Sequence, residues 1–359
     1  MKREYHTPNV IVYWDSDLCT HSGNCVRALP RVFRPMERPW VKTDRAEAEE
    51  IIKAIDLCPS GALRYAIPPG SRLKPDECRG PGLKRDKLKL ALLQMPVTTD
   101  KAANLETAAR MLAEAAVQGA ELAILPEMFN CPYQNDQFPL FAELEGEQTW
   151  QFLQEQAKKH GLILVGGSIP EKDEEGHLYN TCYVFGAEGR PLAKHRKVHL
   201  FDVDIPGGQY FKESDTLRPG DKLTVFNTPY CRMGVMICYD LRFPEMARIM
   251  ALQGARLVIV PGAFNLTTGP AHWELLLRSR AVDNQVFTVG VAPARDERAS
   301  YVSYGHSMVV DPWGQVVGQL GAEPGLLTVE LDLTRVDQVR QAMPLWQHRR
   351  PDLYTLKLT

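Results

Sequence analysis

Three side chains of complementary chemistry stand where short apolar runs stop. Glu127 follows Leu122-Ala123-Ile124-Leu125-Pro126, Lys197 closes Lys194-His195-Arg196-Lys197, and Cys238 ends Gly234-Val235-Met236-Ile237 ahead of Tyr239-Asp240. A thiol can attack a carbonyl, a carboxylate can take its proton, and an ammonium can hold the oxyanion that forms. Together the three could carry out acyl transfer. Cys238 lies between a strand and a helix expected to start near Phe243, whose positive end is expected to lower the thiol pKa. Taken singly, each has a plain structural explanation: a solvated carboxylate, a surface charge run, a packed thiol. Their combination at three strand ends is what points to chemistry. A second set lies near the N-terminus, where Cys19-Thr20-His21-Ser22-Gly23-Asn24-Cys25 is followed by Cys58-Pro59. In a reducing compartment such cysteines serve as metal ligands, catalytic groups or packing.

The elements that must position these residues read as a layered α/β fold. Apolar runs predict strands over Lys89–Met95, Leu122–Leu125, Leu162–Gly166, Tyr179–Phe185, Met233–Cys238 and Leu257–Val260, with a further strand pair around Gly189. Helical spacing of apolar residues predicts helices over Asn104–Val117, Thr149–His160, Pro244–Gln253 and His272–Asn284. Two more strands precede a hairpin at Asp311-Pro312-Trp313-Gly314. Near-alternation of strands and helices is the pattern of stacked layers. Between residues 68 and 82 the sequence PPGSRLKPDECRGPG has Pro or Gly at seven of fifteen positions, which suits a linker. It separates a small module, residues 1–67, from a domain spanning 83–359.

Composition narrows the class. The chain has 359 residues with 42 basic and 44 acidic side chains, a net charge of −2, so bulk electrostatics favour neither nucleic acid nor an anionic membrane. At 44% hydrophobic and 24% charged it can bury a sizeable core. No apolar run reaches membrane-spanning length, and no apolar segment follows the basic Met1-Lys2-Arg3, so the expectation is a cytoplasmic protein.

The stretches Leu125-Pro126-Glu127, His195-Arg196-Lys197-Val198-His199-Leu200-Phe201 and Ile237-Cys238-Tyr239-Asp240-Leu241-Arg242-Phe243-Pro244-Glu245 resemble the Glu-Lys-Cys signatures of the nitrilase, or carbon–nitrogen hydrolase, superfamily. The resemblance covers residues 88–354. Pro261-Gly262-Ala263-Phe264-Asn265-Leu266-Thr267-Thr268-Gly269-Pro270-Ala271-His272-Trp273-Glu274 and Pro293-Ala294-Arg295-Asp296 resemble the omega-amidase branch. The resemblance implies a four-layer αββα sandwich, a homodimer, and hydrolysis of the terminal amide of 2-oxo dicarboxylic monoamides such as 2-oxoglutaramate and 2-oxosuccinamate. It implies Cys238 as nucleophile, Glu127 as proton carrier, Lys197 as oxyanion donor, and a second glutamate, Glu213, beside Lys197. Substrate contacts are expected from Tyr133, Tyr239 and Arg242. Amidases of deaminated glutathione or other small amides are the neighbouring reading; no base motif accompanies Cys131 as a second thiol, and Cys182 and Cys231 read as packing.

Residues 10–67 resemble a divergent single-cluster ferredoxin-like domain, also in Leu29-Pro30-Arg31-Val32-Phe33 and Arg38-Pro39-Trp40-Val41. In bacterial ferredoxins cysteines three apart wrap an iron–sulfur cluster that a later Cys-Pro closes. Cys19, Cys25 and Cys58 match that scheme, with Ser22 at the middle site. Three thiolates imply a 3Fe–4S cluster, or a 4Fe–4S cluster completed by His21, Ser22, Cys78 or solvent; zinc, or no metal, is the alternative. A redox partner would follow from an electron-transfer role, the reading that competes with hydrolysis.

Overall fold

The computed structural model describes residues 2–16, 19, 23–55, 58, 62–66, 68, 86–207, 209–350, 352–354 and 356. His21, Ser22 and Cys78, and the expected linker apart from Pro68, lie outside the described residues. The chain forms two compact units, Met1–Arg85 with Asn227–Tyr230, and Asp86–Phe226 with Cys231–Thr359.

The smaller unit runs β1 (Lys2–His6), β2 (Ile11–Asp15), α1 (Asn24–Ala28), α2 (Ala48–Ile55) and β3 (Leu63–Ala66). Its strands form one antiparallel sheet in the order β1-β2-β3. In α2 the buried residues Ala48, Ile51, Ile52 and Ile55 recur at three- and four-residue intervals, the stripe of an amphipathic helix, while Glu50 and Lys53 face water. That stripe joins Val10, Val12, Val32, Phe33, Trp40 and Cys58 in one core.

The larger unit runs β4 (Lys87–Gln94), α3 (Lys101–Val117), β5 (Leu122–Ile124), α4 (Phe138–Phe141), α5 (Gln148–His160), β6 (Ile163–Val165), β7 (Ile169–Lys172), β8 (Leu178–Phe185), β9 (Pro191–Arg196), β10 (Asp202–Asp204), β11 (Tyr210–Lys212), β12 (Thr224–Asn227), β13 (Arg232–Val235), α6 (Pro244–Leu252), β14 (Leu257–Pro261), α7 (Gly269–Asn284), β15 (Phe287–Val291), β16 (Met308–Val310), β17 (Val316–Gln319), β18 (Gly325–Asp332) and α8 (Thr334–Ala342). Two large sheets result. The first has the order β18-β4-β5-β6-β8-β7, with β9 also paired to β8; the second has the order β12-β13-β14-β15-β16-β17. In each, a parallel core (β4-β5-β6 and β13-β14-β15) continues into antiparallel strands.

The parallel strands are runs such as Leu122-Ala123-Ile124 and Leu257-Val258-Ile259-Val260, buried on both faces, as strands covered on both sides must be. α3 and α5 cover the first sheet, and α6 and α7 cover the second. β15 touches β4 and β17 touches β18, so the sheets face one another inside an αββα sandwich. α3 begins at Asp100, whose side chain accepts a hydrogen bond from Ala103 N at 3.1 Å, and α6 begins with Pro244, whose missing N–H is not needed in a first turn. Among the described residues no helix is long and apolar enough to cross a membrane.

Candidate active site

Strands of both sheets deliver their carboxyl ends to one place. Glu127 follows β5 and Lys197 follows β9 in the first sheet; Cys238 comes three residues after β13 in the second. Glycine permits the close approaches involved. A Cβ on Gly167, whose φ is +59°, would drive into the Pro126 carbonyl behind Glu127, and one on Gly262 would lie 3.3 Å from Cys238 Cα and 3.0 Å from the Trp273 ring. Cys238 itself has φ +48°, the left-handed region, and opens a single tight turn, Cys238–Arg242. The strand expected to reach Cys238 ends at Val235, although Met236 N still donates to Ile259 O and Ile237 stays extended up to the bend that starts at Cys238.

Glu127, Lys197, Glu213 and Cys238 converge, all of them buried. Lys197 Nζ donates to Glu127 Oε1 at 3.0 Å, to Glu213 Oε1 at 2.9 Å and to Tyr133 Oη at 3.2 Å. Burial opposes the ammonium charge, yet the two flanking carboxylates override it and lift Lys197 well above the ordinary lysine range. Glu213 also accepts from Tyr133 Oη at 2.8 Å and from Phe201 N at 2.6 Å. Glu127 Oε1 accepts a second bond from Asn180 Nδ2 at 2.8 Å, and its Oε2 accepts from Ala263 N at 2.7 Å. Burial raises the Glu127 pKa, Lys197 lowers it, and the Glu213 charge raises it further. The Cys238 thiol lies beside Glu127, close enough for the carboxylate to raise its pKa.

One expectation is overturned here. Cys238 is not a low-pKa thiol: burial and the Glu127 charge push it well above the usual range, against the pull of Lys197. The physical reason is that desolvation and an adjacent carboxylate outweigh one short turn's dipole. The arrangement is therefore a thiol with its base in contact, rather than a free thiolate.

The three expected substrate contacts sit around this centre. Tyr133 packs against Tyr301, with ring centroids 4.6 Å apart, and against Phe211 at 5.3 Å. Tyr239 meets Phe201 at 5.2 Å and Phe243 at 5.6 Å. The Arg242 guanidinium lies over the rings of Phe264 at 4.8 Å and Tyr239 at 5.6 Å, and its Nη1 lies 3.1 Å from His272 Nδ1. Burial lowers its pKa, and among the described residues no carboxylate pairs with it. Cys131, Cys182 and Cys231 are buried, and desolvation raises all three thiols, Cys231 to about 12.

Several contributors carried no local signal. Asn180 sits within an apolar strand, Tyr301 reaches the Ala263 carbonyl from a distant loop, and Ala263 contributes only its backbone N–H. Asp240, His195 and His199 were legible in principle. The histidines stand two residues either side of Lys197, a spacing that puts side chains on one side of an extended chain.

In the smaller unit Cys19, Cys25 and Cys58 line one cavity of about 490 Å³, together with Trp14, Trp40 and Arg38. Burial raises Cys25, and the neighbouring Cys58 and Cys19 add to the rise, so the three thiols sense one another. Three thiols on one cavity form a donor set that suits either an iron–sulfur cluster or a zinc ion.

Residues 89–341 match the model of the carbon–nitrogen hydrolase family, and the chain belongs to that family. Residues 5–67 match the model described as a divergent 4Fe-4S mono-cluster. The chain is 54% identical over 270 residues to omega-amidase NIT2 of Mus musculus, covering 75% of this chain and 97% of that protein. It is 52% identical over 271 residues to omega-amidase NIT2 of Homo sapiens, covering 75% of this chain and 98% of that protein. Among solved structures it is similar to Saccharomyces cerevisiae Nit3, a member of branch 10 of the nitrilase superfamily, with a TM-score of 0.69 and 45% identity over 74% of this chain and 97% of that one. It is also similar to a mutant amidase from Nesterenkonia sp. AN1 showing Michael addition of acrylamide at its active site cysteine, with a TM-score of 0.60 and 30% identity over 74% of this chain and 98% of that one.

Proposed function

We propose that the protein is an omega-amidase, a thiol hydrolase that removes the terminal amide of short 2-oxo dicarboxylic monoamides such as 2-oxoglutaramate and 2-oxosuccinamate. The observation that carries this reading is the buried contact of Glu127 with both Lys197 and Cys238. The identity to omega-amidases over nearly their whole length supports the substrate class.

Cys238 Sγ attacks the amide carbon while Glu127 takes the thiol proton, so no standing thiolate is required. The oxyanion is held by the Lys197 ammonium and a backbone N–H beside Cys238. Collapse breaks the C–N bond, and the proton on Glu127 passes to the leaving ammonia, which leaves a thioester. Glu127 then deprotonates water, the water oxygen displaces sulfur, and the thiol regains its proton. Glu213 keeps Lys197 charged and aimed throughout. Arg242, a half-buried cation four residues from the nucleophile, suits the substrate's carboxylate.

Cys19, Cys25 and Cys58 are the residues that would hold an iron–sulfur cluster in the smaller unit. When bound, such a cluster supplies one-electron transfer, which amide hydrolysis does not consume. A cytoplasmic setting, where thiols stay reduced, suits a chain whose cysteines serve as nucleophile and ligands.

The test is ammonia release from 2-oxoglutaramate by the intact protein and by Cys238→Ala. The variant is expected to fold and to release no ammonia above background; release at the wild-type rate would refute the assignment.

A further inference from the structure

Asp240 stands two residues beyond the nucleophile and is completely buried, an expensive place for a carboxylate unless every lone pair is used. They are used by donors from both sheets. Asp240 Oδ2 accepts from Ile237 N at 3.0 Å and lies 3.2 Å from His195 Nε2. Oδ1 accepts from His199 N at 2.9 Å and lies 2.8 Å from His199 Nδ1. Burial raises this carboxyl, but the His195 and His199 contacts more than reverse it and hold it well below the ordinary range. An ionised carboxylate only accepts, so the imidazole nitrogens facing it are both donors.

The positions of the donors matter more than their number. Ile237 precedes Cys238 and belongs to the turn that carries the thiol. His195 and His199 flank Lys197 two residues before and two residues after it, on the segment leaving β9 of the other sheet. His195 is braced from its far side as well, with Nδ1 3.0 Å from Thr224 Oγ1 on β12. His199 is stacked on Phe243, with centroids 3.6 Å apart and planes at 10°, so its ring has little freedom. One carboxylate thus ties the turn bearing the sulfur to both shoulders of the ammonium.

We infer that Asp240, acting through His195 and His199, is a positioning residue that fixes the separation of Cys238 Sγ and Lys197 Nζ across the two sheets. The inference rests on the proposed roles of Cys238 and Lys197 in amide hydrolysis. The clamp touches neither substrate nor the reacting atoms. Its loss lets the oxyanion donor drift from the attacked carbonyl, which lowers kcat while leaving the groups that bind ground-state substrate in place.

The experiment exchanges His199, whose side chain is 29% exposed and so tolerates substitution better than the fully buried members. His199→Leu keeps an apolar surface on Phe243 and the backbone N–H to Asp240 but has no side-chain donor. His199→Asn carries an N–H on the atom equivalent to imidazole Nδ1, because both nitrogens are bonded to Cγ. For the full-length protein with 2-oxoglutaramate, H199L is expected to lose about 100-fold in kcat with KM little changed, as a displacement of about 1 Å produces. H199N is expected to recover most of that loss, and alkylation of Cys238 by iodoacetamide should follow the same order. Equal kcat in H199L and H199N, or a fall expressed only in KM, overturns the inference. Should H199L fail to fold, H199N alone decides, since a rate as low as that of Cys238→Ala contradicts a clamp made of N–H donors. If Cys238→Ala itself retains activity, the fault lies with the assigned reaction rather than with the clamp.

Discussion

Replacing Glu213 by Gln separates charge from shape at the most tightly packed point of the site. The carboxylate serves three donors: Tyr133 Oη at 2.8 Å, Lys197 Nζ at 2.9 Å and Phe201 N at 2.6 Å. Glutamine offers one oxygen and one NH2. If the oxygen faces Tyr133 and Lys197, the NH2 confronts the Phe201 N–H; turned round, it confronts the ammonium. Either way a buried donor is stranded, and the buried ion pair is broken at a cost of about 3–5 kcal/mol. For a domain of this size that is a fall in melting temperature on the order of 10 °C. The rate responds separately. Lys197 keeps only Glu127 as a counter-charge, and Glu127 loses a neighbour that raised its pKa. A base of lower pKa is weaker but stays ionised to lower pH. The maximum rate of ammonia release should therefore fall, by about 10–100-fold, while the acidic limb of the pH–rate profile moves down. Coupled detection of ammonia across the acid range, alongside a thermal melt, reads both effects. An acidic limb that stays put or moves up, with an unchanged melt, would refute the claim that Glu213 tunes the Lys197–Glu127 pair.

Arg242→Met removes the half-buried cation while keeping its length, and KM for 2-oxoglutaramate should rise by about 10–100-fold, the worth of a charge-assisted hydrogen bond. kcat should change much less, and hydrolysis of an amide lacking the carboxylate should be nearly insensitive; an unchanged KM argues against Arg242 as the anion-binding group. Cys58→Ser, purified without oxygen, should lose the iron, sulfide and broad visible absorption expected of the native protein while ammonia release continues. Native protein that is colourless and free of iron and sulfide rejects the cluster.

The fold was legible wherever burial is complete on both faces. Leu90–Leu93, Leu122–Leu125 and Leu257–Val260 are runs without polar interruption, and they lie in β4, β5 and β14. Short elements were not: β10, β11 and α4 are three or four residues long, and packing rather than periodicity defines them. At the site, reactive side chains at strand ends could be picked out because their types complement one another. The ionisation of Cys238 could not, since it depends on how much water and which charges remain near the sulfur after the sheets close. Asn180 and Tyr301 were invisible for a related reason, each having its partner more than thirty residues away. Asp240 shows the intermediate case: its type was in view beside Cys238, but its partners lie on the other sheet.

Because base and ammonium are rooted in one sheet and the sulfur in the other, the centre works as a gauge of how faithfully the sandwich is assembled. A shear between layers too small to expose the core, or to change the helix content, still pulls the sulfur out of line with its partners. Competence in this protein is thus a property of the seam, and an assembly that has only its two halves correctly folded is still not an enzyme.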